Sequence, residues 1–105
     1  MPGQEAAFRA LVDRVQHGDG TASPELRAQA FGNQGLTPPL DALIGKVATA
    51  PASVTEADFA AAEAAGFSQD QLFELVVCAA VGQSSRQYEA GLAALAEALG
   101  SDDAP

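Results

Sequence analysis

The sequence predicts an all-α domain of five to six helices. Strand-forming residues are sparse and never alternate with polar ones. Apolar residues instead recur at three- and four-residue spacing, and helix-start signals stand before them, most clearly at Thr55 and Ser68. A length of 105 residues suits one domain over 1–105. Residues 1–4 and 101–105 are expected to be disordered tails.

The first helix is expected over 5–17. Phe8, Leu11, Val12 and Val15 share a stripe opposite Arg9, Asp13 and Gln16, and Gly18 ends it. Residues 18–22 read as a loop. Ser23, Pro24 and Glu25 then supply a cap, a proline at the first helical position and an acid beside it. Leu26, Ala30 and Phe31 form that helix's apolar face, and Gly32-Asn33-Gln34-Gly35 stops it. Thr37-Pro38-Pro39 restarts the chain as a helix to about Ala48, with Leu40, Leu43, Ile44 and Val47 as its buried stripe. Residues 50–53 are a link.

Two start signals follow in tandem. Thr55 is a cap, Glu56 and Asp58 suit the positive helix end, and Val54 and Phe59 have staple spacing. Gly66 suits the left-handed residue closing a helix over 55–65. Ser68 and Gln71 have capping-box spacing, with Phe67 and Leu72 as a second staple. A turn this short makes the two helices neighbours. From Leu72 to Val81 the next helix is apolar nearly all round, which predicts burial on most sides by its own domain or by another subunit. Gly82-Gln83-Ser84-Ser85 is expected to weaken, bend or break it. Beyond Arg86, Tyr88, Leu92, Leu95 and Leu99 form a helical stripe beside the small residues Gly91, Ala94 and Ala98, and Gly100 is a plausible stop.

Composition narrows the function. A formal charge of −9 disfavours nucleic acid and anionic membrane surfaces. No run is long enough to span a bilayer, and no basic-then-apolar leader is visible, so a cytoplasmic protein is expected. The apolar fraction is rich in alanine, and aromatics make up only 6% with no Trp. A core that thin predicts stabilisation by homo-oligomerisation. The single cysteine, Cys78, excludes an intramolecular disulfide and a CxxC pair.

Few residues are candidates for chemistry. Glu74 interrupts an apolar stretch and needs a partner if buried. Lys46 and Arg86 are the candidates for that partner, and for holding an anionic ligand. Cys78, with no base near it in sequence, reads as a packing residue. His17, the only histidine, suits the end of the first helix, and one His beside Asp19 is not a metal site. The glycines of 32–35 make no phosphate loop, and Ser84 and Ser85 have no base nearby. Neither a metal nor a cofactor is expected.

The segment from Ala62 through the Ala65-Gly66-Phe67-Ser68 turn to Gly82 resembles the second helical unit of the carboxymuconolactone decarboxylase and alkylhydroperoxidase-D-like superfamily. Lys46-Val47 ahead of Val54-Thr55-Glu56 is also similar to small members of that group. The likeness covers about residues 55–99. It implies an alkylhydroperoxidase-D-like helical core and a homo-oligomer. Peroxidase members carry a Cys-x-x-Cys and a following His before the turn. Residues 48–65 hold neither, and Cys78 lies after the turn. Thiol peroxidase chemistry is therefore disfavoured. The expected function is a non-redox, oligomeric small-ligand-binding or interaction protein; the alternative is a decarboxylase-like acid–base enzyme using Glu74.

Overall fold

The computed structural model describes residues 2–103, and the side chains of 2, 4 and 101–103 lie outside that description. The described chain is all-α: α1 (Pro2–His17), α2 (Pro24–Gly32), α3 (Leu40–Thr49), a single 3-10 turn (Pro51–Ser53), α4 (Glu56–Ala64) and α5 (Gln69–Asp103). The ends expected to be tails are helical in backbone as far as Pro2 and Asp103, whereas Met1, Ala104 and Pro105 fall outside the described residues.

Local chemistry sets most boundaries. The Ser23 hydroxyl accepts from the Leu26 amide at 3.1 Å, with Pro24 at the first helical position. Asn33, at φ 50°, closes α2 in the left-handed region. The Asp58 carboxylate accepts from the Thr55 amide at 2.8 Å at the start of α4. Gly66, at φ 107°, turns the chain into the next helix. There Ser68 and Gln71 form a reciprocal box: the Ser68 amide donates to Gln71 Oε1 at 2.9 Å, and the Gln71 amide to Ser68 Oγ at 3.1 Å.

The core lies where α2, α3 and α4 meet the first half of α5. Leu40, Leu43, Ile44, Leu72, Leu75 and Cys78 are its large buried members, with Ala22, Ala30, Ala62 and Ala79 filling between them. Val54, Phe59 and Phe67, the residues flanking the two caps, pack against it.

Two expectations about α5 need correction. The helix is not broken at 82–85; it runs 35 residues without interruption. Gly82 is buried because α2 touches α5 there, and a Cβ at this position would land on the Phe31 carbonyl oxygen. The glycine therefore marks a close helix approach. Nor does Gly100 stop the helix, which continues to Asp103. Of the two covers expected for the 72–81 segment, its own domain supplies one side only: Phe73 is 71% exposed, and Ala80 is exposed. One chain supplies too few helices to surround it.

α1 runs antiparallel to α5. Val15 lies against Cys78, whereas the Phe8 ring packs 5.2 Å from that of Tyr88 further along, tilted by 42°. Every residue of 86–100 is exposed. A radius of gyration of 16.5 Å, against roughly 13 Å for a compact chain of this length, reflects this projecting half. None of the described helices is long and apolar enough to cross a membrane.

Candidate functional site

Glu74 faces the loop between α1 and α2. Its Oε1 accepts from the Thr21 amide at 2.8 Å, and its Oε2 accepts from the Ala22 amide at 2.6 Å and the Thr21 hydroxyl at 3.0 Å. Gly20 makes this possible, because a Cβ there would collide with Oε1. Desolvation pushes the Glu74 pKa up, but the Ala22 and Thr21 donors outweigh it and hold the group below the ordinary carboxylate value. Neither Lys46 nor Arg86 is its partner.

Arg86 serves the opposite end of α2. Its Nη1 donates to the Phe31 carbonyl at 2.7 Å, and its Nη2 to Gln83 Oε1 at 3.0 Å. α5 thus holds α2 by an anion at its N-terminal loop and a cation at its last turn. This matches the helix dipole at both ends. The two groups stand twelve residues apart on one continuous helix, roughly 18 Å, so they do not share a pocket.

Lys46 belongs elsewhere again. Its Nζ sits 2.9 and 3.0 Å from the two Asp58 oxygens, tying α3 to α4. Hydrogen bonding from Lys46, then from the Thr55 amide, holds the Asp58 carboxyl below its usual value. The three residues singled out in the sequence therefore form three separate contacts.

Cys78 is buried, and its Sγ donates to the Val15 carbonyl at 3.4 Å. Burial raises its pKa, with Glu74 adding to the rise and Arg27 opposing it. A thiol kept protonated in this way is a weak nucleophile. His17 pairs with Asp13 across one turn at 3.2 Å on the exposed face of α1.

Sequence reasoning missed Arg27, the charged residue buried in this fold at 6% exposure. Its Nη1 donates to the Gly18 carbonyl at 2.5 Å, while its Nε has no partner. The signal was available: Arg27 lies three and four residues before Ala30 and Phe31, on the apolar face of α2. Arg27 lines a cleft of about 300 Å³ with Arg14, Asp19 and Glu74, walled by Val15, Val77 and Phe73.

The other notable surface is apolar. Tyr88, Leu92, Leu95 and Leu99 are 41, 43, 55 and 53% exposed along one side of α5, and Leu11 of α1 is 45% exposed. Their spacing of four, three and four residues is that of a coiled-coil seam. Set against protein-family models, curated proteins and solved structures, the chain matches none.

Proposed function

We propose that this chain is a non-redox, self-associating helical interaction protein of the alkylhydroperoxidase-D-like kind, working in the cytoplasm as a homodimer built on the far half of α5. The observation that carries this reading is the seam of Tyr88, Leu92, Leu95 and Leu99, exposed on a helix half that contributes nothing to its own chain's core.

A second copy suits this seam because the seam is complementary to itself. In an antiparallel pair, Tyr88 meets Leu99 of the partner subunit and Leu92 meets the partner's Leu95. The same layers recur on the other side of the two-fold axis. The flanking positions are Glu89, Gly91, Ala96 and Ala98. Glu89 falls opposite an alanine, so no like charges face each other, and the small residues let the backbones approach. The two α1 helices flank the seam and complete a four-helix arrangement.

The acid–base alternative has less support. A carboxylate that already accepts from three donors and is held ionised is a poor proton acceptor. Its geometry is that of a loop anchor.

Sedimentation velocity tests the proposal. The wild-type chain should sediment as a dimer at micromolar concentration. Leu95→Glu, which places a carboxylate in a central layer, should sediment as a folded monomer. A wild-type monomer, or a Leu95→Glu dimer, would overturn the reading.

A further inference from the structure

Between α4 and the first half of α5 lies an open groove of about 360 Å³. Buried Leu72 forms its floor; Phe59 and Glu63 line it from α4, and Gln69, Phe73 and Val76 from α5. Along α5, Gln69, Phe73, Val76 and Ala80 recur at four-, three- and four-residue spacing, so they form one stripe. Phe73 is the most exposed of the large apolar residues in the described chain, and Ala80 is exposed as well. The fold thus leaves apolar surface uncovered here, at a place separate from the far half of α5.

The charge around this groove says what can cover it. Glu56 and Glu63 are exposed and share a face of α4 with Phe59, so they form the outer rim. They stand two turns apart, roughly 10 Å. Asp58 lies on the opposite flank of α4 and takes up Lys46 there. None of the residues lining the groove is a cation. A second copy of this chain is a poor occupant, because it brings a further net charge of −9. Three of its five Lys and Arg residues are also engaged: Arg27 by Gly18, Lys46 by Asp58 and Arg86 by Phe31. The fitting occupant is basic and comes from another protein.

From this arrangement we infer that the groove docks a short amphipathic helix of a basic partner protein. Its apolar side lies on Phe73, Phe59 and Val76, and its Lys or Arg side chains run along Glu56 and Glu63. A groove between two helices accepts the side-chain ridge of a third. The stripe from Gln69 to Ala80 spans roughly 16 Å, which suits about three turns of the partner. The described residues are all-α and offer no sheet edge to which an extended segment could add. Docking goes beyond the self-association proposed above and does not rest on it, because every groove residue lies in α4 or the first half of α5.

The probe is a fluorescein-labelled peptide of about 14 residues, made of leucine and lysine with the leucines at helical spacing. A peptide of the same composition with its leucines scattered around the helix is the control. Fluorescence anisotropy should show saturable binding of the probe and about tenfold weaker binding of the control. Amide NMR shifts should centre on Glu63, Gln69, Phe73 and Val76. Phe73→Ala, a change at an exposed side chain, should weaken the probe about tenfold. Glu63→Gln should weaken it about two- to fourfold and flatten its salt dependence. Leu95→Glu should bind as wild type does, so failure of the dimer and failure of this groove are separable. Equal binding of the control peptide, unchanged affinity in Phe73→Ala, or shifts centred on Leu92 and Leu95 would overturn the inference. So would a Phe73→Ala chain that sediments with a smaller mass than wild type, because a second copy would then be the occupant.

Discussion

The two halves of α5 differ in what surrounds them. Residues 69–82 meet α2, α3 and α4, and bury Leu72, Leu75, Cys78 and Ala79. Residues 83–100 carry a comparable apolar stripe but meet only α1 and, through Arg86, the last turn of α2, and 86–100 stay exposed. One uninterrupted helix thus serves two purposes. Its first half builds the fold of the chain, and its second half extends beyond it. A helix's apolar pattern states that a face will be covered, but not by which chain.

The contrast breaks most sharply at the buried end. Leu75→Ala should cost about 2–5 kcal/mol of unfolding free energy, read from urea melts. Leu95→Ala at the exposed end should change monomer stability by less than about 0.5 kcal/mol. Equal costs would mean that the distal half is folded into its own chain after all.

Gly82 sits at the boundary between the halves. Gly82→Ala forces α2 off α5 at Phe31 and should cost about 1–3 kcal/mol by overpacking. Gly91→Ala, with open space around it, should be neutral or slightly stabilising because glycine is a poor helix former. A stable Gly82→Ala protein would contradict the close approach.

The Glu74 contact gives a pH signature. Its folded pKa lies below its unfolded value, so the contribution is fully present above the unfolded value near 4.5 and is lost as pH falls through the folded one. Glu74→Gln should cost about 1–2 kcal/mol at pH 7. The variant's melting temperature should fall less steeply than that of wild type below about pH 4.5. Parallel pH curves for the two proteins would remove Glu74 from the account. Asp58 shifts in the same direction, so part of the acid sensitivity should persist in the variant.

The subtlest effect concerns register. Spin labels at Ala93 should lie close across an antiparallel dimer. Labels at Gln87 should be separated by roughly 20 Å more along the axis. Equal distances at both positions would point to a parallel pair.

Much of the fold is legible locally. The Ser23, Thr55 and Ser68 starts and the Gly66 turn follow from chemistry within three or four residues, and each sits where that chemistry places it. The roles of Gly20, Gly82, Glu74 and Arg86 were not legible, because their partners lie more than fifty residues away. Gly82 looks like a helix breaker until Phe31 is found against it. Glu74 looks like a candidate base until the 18–22 loop closes on it. Lys46 and Arg86 were grouped by charge alone, and each instead holds a different pair of elements together. Arg27 is charged yet buried at 6% exposure, and its sequence neighbours alone do not tell that α1 and α5 close over it.

The central claim is that the second half of α5 is covered by another copy of this chain. Sedimentation equilibrium over a hundredfold concentration range tests it most directly, with wild type beside Leu95→Glu. The account predicts a wild-type mass twice the 10.6 kDa of the chain, and a single-chain mass for the variant with its helical circular dichroism retained. A wild-type mass of one chain throughout that range would contradict it.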